Sequence, residues 1–439
     1  MSVAEQMPTD RFDVIVVGAG PAGLAAAKTC AAGGLLTLVL ERGAAPGVKN
    51  VMGGVIYTRP TAEVFPDFHK QAPLERCIIQ QDAWVLTPDS ALKLGYRSTR
   101  FQADPPNAFT CFRVRLDKYF ADQAQQAGAL LVCETKVEEV LRERGQVIGV
   151  RAGREEGEVF APIVILSEGV NCELALALGM QTPLRNEDVA SAVKEVIALD
   201  PGIIAERFNL QDDEGATIEC FGDATLGTLG TGFIYTNRET LSVGVGGLLS
   251  EWAKLKLTPH DFLQRFKQHP MIAPLLAGGE TVEYLSHMIP EGGFHRVPQL
   301  FANGLMIAGD AAMLVNGLHR EGANHALRSG QLAGETAILA HQRGDFTMQT
   351  LQEYRRRLRE DAPTLRDLRK YRNTSRFIAQ NPYLLQLYPQ LASEAAYEML
   401  TVDGTPKRTK QWRVIGNVIR KRGLLGLLRD AIQGGRSVW

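Results

Sequence analysis

The sequence predicts an α/β fold that combines a mainly parallel sheet, an antiparallel-sheet insertion and a helical C-terminal region. Three observations predict it. Short apolar runs that end in glycine and lead into small-residue helices occur early and late in the chain, as in VIVVGAGPAGLAAA and GLMIAGDAA, and such runs suit buried parallel strands. Residues 190–247 are rich in β-branched residues and glycine, which is typical of small antiparallel sheets. Beyond Gly330 the pattern is mainly helical and strongly basic.

The 439 residues are enough for a large core and for two or three packed subdomains. We place the predicted domain boundaries where the residue pattern changes. The first domain is discontinuous and combines residues 1–185 with 290–345, the antiparallel domain covers 186–289, and the helical basic region covers 346–439.

Composition disfavours several classes of protein. A chain with 45% hydrophobic and 22% charged residues is an ordinary globular protein, and its net charge of -1 gives no field that would recruit nucleic acid. The six cysteines include no CxxC pair and none follows Cys220, so neither a zinc site nor an iron–sulfur cluster is predicted.

The N-terminus lacks the pattern of a signal peptide, and no apolar run reaches the roughly 20 residues of a membrane-spanning helix. We therefore expect a cytoplasmic protein whose only membrane contact is peripheral, on the cytoplasmic face of the inner membrane.

The first strand–helix–strand segment carries a phosphate-binding pattern. Gly18-x-Gly20-x-x-Gly23 follows a predicted strand and opens a helix at about Pro21, and Glu41 closes the next strand. In this pattern the first glycine permits the tight turn, the second lets the backbone approach a pyrophosphate, and the third allows close helix–strand packing. A carboxylate at this distance can accept hydrogen bonds from both hydroxyls of an adenosine ribose. The segment predicts a dinucleotide site, with a glycine turn that binds no ligand as the alternative.

A second anchor far along the chain distinguishes FAD from NAD. Residues 305–308 form another apolar strand that ends in Gly309-Asp310. An aspartate in this position can accept hydrogen bonds from a ribityl chain, which FAD has and NAD lacks. The same aspartate could also cap a helix, and the two roles are compatible. This second strand therefore predicts FAD as the cofactor. No second Gly-x-Gly-x-x-Gly follows a strand in the middle of the chain, so direct reduction by a nicotinamide is disfavoured.

The remaining segments indicate a coarse order of elements. Residues 61–107 read as irregular, with scattered prolines and short alternating runs. Residues 116–127 predict a helix, and the stretch after them predicts a β-meander that turns at Gly145. Within the antiparallel insertion, Asn237-Arg238 predicts a hairpin turn.

The heptapeptide HREGANH brings His319, Glu321 and His325 close together in sequence. These residues could be metal ligands, a proton-transfer site, or the frame around Gly322 beside a bound cofactor. The heptapeptide follows the aspartate anchor and precedes a small-residue helix, ALRSGQLAGETA. This setting favours the third interpretation, and no metal site is predicted.

The motifs together resemble a known family. They are VGAGPAGLAAA, Glu41-Arg42, FRVRLDKYFADQAQQAGA, ILSEGVN and IAGDAAMLVNGLHREGANHALRSG. This set resembles the glutathione-reductase-type FAD proteins, whose FAD-binding domain is Rossmann-like. Within that class the chain is similar, over nearly its whole length, to the geranylgeranyl reductase and electron-transfer-flavoprotein:quinone oxidoreductase group, and in particular to the FixC family.

The resemblance implies a set of cofactor-binding residues. Near the AMP half of FAD these are Gly18, Gly20, Pro21, Ala22, Gly23, Glu41 and Arg42, together with Arg113 and the backbone of Val137. The other residues implied are Gly53, Gly54, Gly169, Gly309, Asp310, Gly322, Ala323 and Asn324. Backbone amides at the start of the last helix would stabilise negative charge on the reduced ring. His319 and Arg320 would tune the flavin or line the path by which electrons leave.

The resemblance also implies an activity. Members of the FixC family take electrons from a two-subunit electron-transfer flavoprotein and pass them, through a small ferredoxin-like iron–sulfur subunit, towards membrane quinone. They do so in an electron-bifurcating complex linked to nitrogen fixation. The related quinone oxidoreductases carry a C-terminal cysteine-rich module, and the lack of cysteine after Cys220 agrees with a cluster on another chain. Because the flavin itself carries the redox chemistry, no catalytic side chain is predicted.

Two other functions stay open at this point. One is a reductase of prenyl double bonds like geranylgeranyl reductase, which would need an apolar tunnel beside the flavin. The other is an assembly subunit that FAD stabilises without changing redox state.

The C-terminal helices combine basic residues with apolar residues at helical spacing. The apolar positions are Val414, Ile415, Val418 and Ile419, and then Leu424, Leu425, Leu427 and Leu428. This apolar face either packs on its own domain or docks to an acidic partner subunit or an anionic membrane surface.

Overall fold

The structure of the protein is a computed structural model, and it describes residues 11–49, 54–153, 157–317, 321–360 and 363–438. The backbone forms two compact units. Unit 1 comprises Met1–Leu74, Cys111–Asp188 and Ile289–Arg369, and unit 2 comprises Glu75–Thr110, Val189–Met288 and Lys370–Trp439. Each unit is therefore assembled from stretches that lie far apart in the sequence.

Strands and helices alternate along much of the chain. In chain order the strands are β1 (Val14–Val17), β2 (Thr37–Leu40), β3 (Val55–Tyr57), β4 (Leu74–Thr87), β5 (Ser90–Arg97), β6 (Ala108–Cys111), β7 (Leu130–Val132), β8 (Val137–Glu143), β9 (Gln146–Ala152), β10 (Glu158–Phe160), β11 (Ile163–Leu166), β12 (Val189–Ala198), β13 (Glu214–Gly222), β14 (Gly230–Thr236), β15 (Thr240–Leu248), β16 (Glu280–Pro290), β17 (Phe301–Ala302) and β18 (Leu305–Ile307). The helices are α1 (Pro21–Ala32), α2 (Thr58–Ala62), α3 (Phe68–Gln71), α4 (Arg113–Gln126), α5 (Glu173–Ala177), α6 (Pro201–Phe208), α7 (Leu249–Leu255), α8 (Pro259–Gln268), α9 (Ala273–Leu276), α10 (Ala323–Arg343), α11 (Met348–Glu360), α12 (Pro363–Lys370), α13 (Thr374–Gln380), α14 (Tyr383–Leu400), α15 (Lys407–Arg422) and α16 (Leu424–Val438).

Unit 1 is built on a sheet with the strand order β17-β18-β11-β1-β2-β7. The strands from β18 to β7 are parallel, and β17 pairs antiparallel with β18 at one edge. All residues of β1, β2 and β11 are buried, as expected for parallel strands whose two faces are covered. The carboxyl ends of these strands meet at one edge of the sheet, which is where open α/β sheets bind their ligands.

Small residues allow α1 and α10 to pack closely in unit 1. A Cβ atom at Gly330 would overlap the carbonyl oxygen of Ala22, and Gly334 repeats this close approach one turn later. On the same helix, Ser329 Oγ accepts a hydrogen bond from the amide of Gly309 at 3.0 Å. The small-residue helix predicted after the aspartate anchor is therefore α10, and its small side chains serve the packing on α1.

The predicted meander is confirmed. β8, β9 and β10 form an antiparallel sheet in the order β10-β9-β8. The turn between the first two strands contains Gly145 at a φ of +82°, a conformation that favours glycine. The helix predicted at 116–127 is α4, which begins three residues earlier, at Arg113.

Unit 2 contains a sheet in which the strands follow the order β16-β12-β15-β14-β13-β4-β6, and β5 pairs with β4. A cluster of buried apolar side chains from these strands and from α6, α7, α8 and α9 forms its core. Two aromatic rings of this cluster lie against glycines of the strands, Phe266 against Gly232 and Trp252 against Gly247. The predicted antiparallel insertion is thus part of a larger sheet.

The prediction of irregular structure for residues 61–107 is wrong. This stretch contains α3 and a hairpin of β4 and β5, with 14 and 8 residues. β4 also pairs in parallel with β13, a strand far along the chain that local alternation cannot reveal. The predicted hairpin at Asn237 is confirmed, since β14 and β15 pair antiparallel and the amide of Asn237 donates to the carbonyl oxygen of Thr240 at 2.8 Å. It could be predicted because this pairing is local.

The C-terminal helices belong to unit 2 and are joined by polar contacts. Asp430 accepts hydrogen bonds from Tyr383 at 2.8 Å, from Tyr388 at 2.6 Å, and from two nitrogens of Arg422 at 2.5 and 2.6 Å. The Arg422 guanidinium also lies 3.9 Å from the centre of the Tyr383 ring. In the part of the chain that the structure describes, no helix is long and apolar enough to cross a membrane.

Candidate cofactor site

The three glycines between β1 and α1 have different surroundings. Gly18 has a φ of +99°, which favours glycine, and a Cβ there would overlap the carbonyl oxygen of Ser167. A Cβ at Gly23 would overlap the carbonyl oxygen of Gly18. Around Gly20, by contrast, no atom of the described residues lies within 4 Å of the position of a Cβ. Two glycines are therefore required by the packing of the chain itself, whereas Gly20 borders open space that a ligand can occupy.

The N-terminus of α1 is suited to a phosphate. The helix begins at Pro21, its N-cap residue Gly20 offers no side chain, and its first turn contains no acidic residue. The positive end of the helix dipole is therefore not neutralised from within the helix, and backbone amides at such an end bind anions. Ala22 has a packing role, since its Cβ lies 2.8 Å from where a Cβ of Gly309 would be.

Glu41 follows β2 at the same edge of the sheet. Its Oε2 accepts a hydrogen bond from the amide of Ala19 at 2.8 Å, and its Oε1 accepts one from the amide of Gly43 at 2.6 Å. The side chain is thus tied to the turn that contains the first two glycines. Because each carboxylate oxygen can accept two hydrogen bonds, capacity for two ribose hydroxyls remains.

Two predicted adenosine contacts, Arg42 and Val137, follow this carboxylate in the chain. Arg42 is exposed, and its contact with an adenosine stays a prediction. Val137 is buried at the start of β8, two residues after Thr135, whose amide donates to the carbonyl oxygen of Glu41 at 2.8 Å. The structure therefore brings the backbone near Val137 to the end of β2.

Arg113 begins α4 and is buried in a pair with Asp117, one turn later. Its Nε and Nη2 donate to the two carboxylate oxygens, each at 2.8 Å. Burial by itself would lower the pKa of Arg113, but the carboxylate outweighs it and raises that pKa. Burial raises the pKa of Asp117, and the guanidinium counteracts this effect. The sequence interpretation missed Asp117, although the R-x-x-x-D spacing indicates an ion pair on one helix face.

Asp310 lies in a short 3-10 turn, Gly309–Ala312, that follows β18. The N-cap position of this turn is Ala308, and no side chain caps it, so the structure does not use this aspartate as a cap. Burial raises the pKa of Asp310, while the charges of Arg113 and His325 lower it. A carboxyl group that can accept hydrogen bonds is thereby placed at the sheet edge that also carries the glycine turn.

The start of α10 is open to a ligand. The helix begins at Ala323 with Gly322 as its N-cap residue, and Asn324 is buried in the first turn. Among the described residues, the nearest atoms to a Cβ at Gly322 would be those of the Val315 side chain, at 3.7 Å or more. No described residue therefore blocks a close approach to the backbone at this glycine.

His325 supports the turn before α10. Its Nδ1 lies 3.2 Å from the carbonyl oxygen of Leu314, and its Nε2 lies 3.5 Å from Oε2 of Glu321. No group of three His, Cys, Asp or Glu side chains within the described ranges is arranged to hold a metal ion. His319 and Arg320 lie outside the described residues. These contacts agree with the interpretation in which the heptapeptide frames a glycine.

Two more of the predicted glycines lie in loops of unit 1. Gly169 follows β11 at a φ of +77°, and no atom from the described part of the chain lies within 4 Å of its Cβ position. The preceding Glu168 accepts hydrogen bonds from two amides of the following helix, both at 2.9 Å. Gly54 is buried, and its carbonyl oxygen accepts a hydrogen bond from the amide of Cys111 at 3.0 Å. Gly53 lies outside the described residues.

These features fit an extended dinucleotide. The open space at Gly20, the N-terminus of α1 and the Glu41 carboxylate are together after β1 and β2. Asp310 follows β18, which is three strands away from β2 in the sheet, a separation of about 14 Å at the usual strand spacing. A nucleotide at one end and a polar chain that reaches the other end would use both groups of residues.

Comparisons with known proteins agree with this geometry. Residues 13–188 match the family model of FAD dependent oxidoreductases, and residues 374–439 match that of the ETF-QO/FixC family C-terminal domain. Protein FixC of Azotobacter vinelandii is 44% identical over 430 residues, which cover 98% of this chain and 99% of that protein. The probable electron transfer flavoprotein-quinone oxidoreductase YdiS of Escherichia coli (strain K12) is 39% identical, with coverages of 98% and 100%.

Solved structures of lower identity share the fold. A geranylgeranyl bacteriochlorophyll reductase-like protein from Thermoplasma acidophilum has a TM-score of 0.71 at 21% identity, with 94% of this chain and 98% of that chain covered. The myxobacterial halogenase CndH has a TM-score of 0.64 at 20% identity, with coverages of 95% and 91%. The predicted α/β fold class and the predicted FAD cofactor are confirmed. This chain belongs to the FixC family of FAD-dependent oxidoreductases.

Proposed function

We propose that this oxidoreductase accepts electrons from a two-subunit electron-transfer flavoprotein and passes them, through a separate ferredoxin-like iron–sulfur subunit, towards quinone. The complex would be of the electron-bifurcating FixABCX type. The observation that carries the proposal is the full-length similarity to FixC proteins and to a protein named as a probable electron transfer flavoprotein-quinone oxidoreductase. Bound FAD would supply the acceptance of two electrons and their release one at a time.

In this proposal the residues of unit 1 bind and orient the cofactor. The N-terminus of α1 beside Gly20 would hold the phosphates, and Glu41 would accept hydrogen bonds from the ribose hydroxyls. Asp310 would accept hydrogen bonds from the ribityl chain. The amides and dipole at the start of α10, beside Gly322, would stabilise negative charge on the ring. None of these groups attacks a substrate, which suits a protein whose task is electron transfer.

We propose further that the C-terminal helices dock to another component of the complex or to the membrane. The helices α15 and α16 carry a C-terminal apolar surface, which consists of Trp412, Ile415, Ile419, Leu424, Leu425, Leu428 and Ile432, with exposed fractions from 38% to 83%. Exposed apolar patches of this kind mark interaction sites. Exposed basic residues accompany it, including Arg408, Arg420 and Arg429. Their charge suits an acidic subunit or an anionic lipid surface.

The proposed electron donor is tested by rapid mixing under anaerobic conditions. The FAD-loaded chain is mixed with a reduced electron-transfer flavoprotein, and loss of the oxidised FAD absorbance is followed over time. We expect fast reduction by the flavoprotein and slow reduction by NADH alone. Equally fast reduction by NADH alone, or turnover with a prenylated lipid, would contradict the proposal. A flavin that never changes redox state in the assembled complex would instead support an assembly role.

The proposed docking surface is tested by substitution within it. Leu425 is 83% exposed, and Leu94, on β5, provides a matched control because it is 78% exposed and lies elsewhere in unit 2. Leu425→Gln should weaken co-purification with partner subunits or binding to anionic vesicles, and Leu94→Gln should leave both unchanged. Deletion of residues 407–439 should have the same effect as Leu425→Gln while FAD stays bound. Unchanged co-purification and vesicle binding in both C-terminal variants would contradict the proposal that the C-terminal apolar surface is a docking surface.

A further inference from the structure

β16 lies at one edge of the unit 2 sheet. In the part of the chain that the structure describes, β12 pairs with one side of this strand and no strand pairs with its other side. Residues 280–288, which make up most of β16, belong to unit 2. The backbone N–H and C=O groups on the outer side therefore form an open row, and such a row is a template for pairing with another strand.

The other edge strands within the described ranges are short or charged. β3, β7, β10 and β17 contain two or three residues each. β8 carries four charged residues among its seven, and β5 carries Lys93 and Arg97. β16 has eleven residues, contains no lysine or arginine, and has its single proline at the last position. Short length, basic side chains and proline are the features that keep edge strands from pairing, so β16 is the least protected of these edges.

Several apolar side chains of β16 are exposed. The exposed fractions are 59% for Val282, 46% for Tyr284 and 38% for Met288. The strand is nevertheless anchored to its neighbour in the sheet, because Thr281 Oγ1 donates a hydrogen bond to Oε2 of Glu195 on β12 at 2.8 Å. A strand that is already ordered loses little conformational entropy when a partner binds. β16 is therefore an apolar edge that is prepared for pairing.

The sequence of β16 is self-complementary about its central residue, Leu285. When two copies pair antiparallel with a twofold axis at Leu285, this residue faces its own counterpart. Val282 then faces Met288 of the second copy, so an exposed apolar side chain meets another. Glu283 faces His287 of the second copy, so a carboxylate meets a group that can carry positive charge. Cross-strand pairs of these kinds stabilise antiparallel sheets.

Other registers match the side chains less well. An axis at Tyr284 would place Val282 opposite Ser286 and Glu283 opposite Leu285, so that apolar side chains would meet polar ones. An axis at Glu283 would place two carboxylates opposite each other, which is destabilising. The axis at Leu285 is therefore the best of these three, and it requires a second copy of this chain as the partner.

We propose that two copies of this chain associate through β16, antiparallel and with the twofold axis at Leu285. The unit 2 sheets of the two copies would then join into one sheet across an isologous interface, in which each residue pair occurs twice. The inference goes beyond the proposed function, since no electron donor or acceptor takes part in it. Because one pair of strands is a small interface, we expect a dissociation constant in the micromolar range.

Sedimentation of the FAD-loaded full chain tests the association. We expect twice the mass of one chain at high concentration and the mass of one chain after dilution. Val282→Lys and Met288→Glu should each weaken association about tenfold, because each substitution removes an apolar pair that occurs twice. The double variant Val282→Lys/Met288→Glu should restore association, because the introduced ammonium group faces the introduced carboxylate of the second copy. The two positions are about 20 Å apart within one strand, so this rescue requires two copies.

Cysteine cross-linking tests the register. In Leu285→Cys the two introduced thiols meet at the axis, where a Cα separation of about 4.5–5.5 Å permits a disulfide, so mild oxidation should give a covalent dimer. Val282→Cys is the matched control, because this position lies roughly 20 Å from its own counterpart and should give no covalent dimer. The natural protein, whose described cysteines are buried or half-buried, is the blank.

Three outcomes would overturn the inference. The first is a natural protein that has the mass of one chain at every concentration. The second is a dimer that Val282→Lys and Met288→Glu leave unchanged. The third is equal cross-linking of Leu285→Cys and Val282→Cys, which would mean that β16 of the second copy does not lie in the proposed register.

Discussion

Glycine serves different purposes in the two units. In unit 1 it lets backbone meet backbone, because a Cβ at Gly330 would overlap the carbonyl oxygen of Ala22. In unit 2 it receives an aromatic ring, as where Phe266 lies against Gly232. A ring can shift by a few tenths of an ångström, whereas a helical carbonyl group moves only with its whole helix. The comparison teaches that the contact of Gly330 in unit 1 is fixed by backbone geometry, whereas the contact of Gly232 in unit 2 is made by a side chain that can move.

Gly330→Ala should have the largest effect on stability. The added methyl group meets the backbone of α1, and overpacking of this kind costs about 3 kcal/mol at the upper end of its range. The higher helix propensity of alanine offsets about 1 kcal/mol of this cost. We therefore expect a net loss of about 2 kcal/mol in the free energy of unfolding, measured by urea denaturation. Gly416→Ala in α15 is the matched control, since no atom lies within 4 Å of its Cβ position and it should be neutral or stabilising. Equal losses in the free energy of unfolding for Gly330→Ala and Gly416→Ala would show that the backbone contact of Gly330 has no special effect on stability.

Gly20→Ala should impair cofactor binding without affecting the fold. The backbone of Gly20 has a φ of -84° and a ψ of -177°, which alanine adopts without strain. Its Cβ would enter the open space beside α1, so we expect the affinity for FAD to fall at least about tenfold, or about 1.4 kcal/mol. Urea unfolding without FAD should be unchanged. An unchanged dissociation constant for FAD, measured by fluorescence titration, would place the phosphates elsewhere.

Gly232→Ala should have a smaller effect than Gly330→Ala, because its neighbour can move. The new Cβ would lie 2.7 Å from Cε2 of Phe266, and a shift of the ring should limit the loss to about 1 kcal/mol. The same substitution in a Phe266→Leu background should cost less, and a double-mutant cycle measures this coupling. A loss as large as that of Gly330→Ala would show that the ring in unit 2 is as rigid as the backbone in unit 1.

Asp430→Asn should have the smallest effect, a loss of stability that is present at neutral pH and disappears in acid. Hydrogen bonds from Arg422, the largest cause, and from two tyrosines lower the pKa of Asp430 to about 2. A folded-state pKa below the unfolded value of about 3.9 stabilises the protein above that value. This contribution is lost as the pH falls towards 2. Urea midpoints of the natural protein should therefore fall more steeply than those of Asp430→Asn between pH 4 and pH 2, since the amide does not titrate.

Parallel loss of stability with pH in both proteins would show that the contacts of Asp430 do not stabilise unit 2. The natural protein at pH 7 is the reference, because the carboxylate is fully ionised there. The expected steeper loss in the natural protein would instead sharpen the comparison, because it would show that the C-terminal helices of unit 2 depend on a charged group, whereas the described contact of Gly330 with α1 is one of backbone.

Much of unit 1 could be predicted because its signals are contiguous. The strand, the glycine turn and α1 follow one another directly, and the turn at Gly145 joins two neighbouring strands. Contacts between distant stretches could not be predicted in this way. The sequence presents Asp117 as an ordinary helical carboxylate, and only the structure shows that it is buried in a pair with Arg113.

The sequence by itself determined the cofactor class, through two strand–glycine motifs with an acidic residue at each. It also determined the antiparallel hairpin at Asn237, whose pairing is local. Only the tertiary structure decided that Gly330 has to be a glycine, because a Cβ there would overlap the carbonyl oxygen of Ala22. The physical reason is that periodicity is carried by neighbouring residues, whereas the role of a glycine depends on atoms that approach it from other parts of the chain.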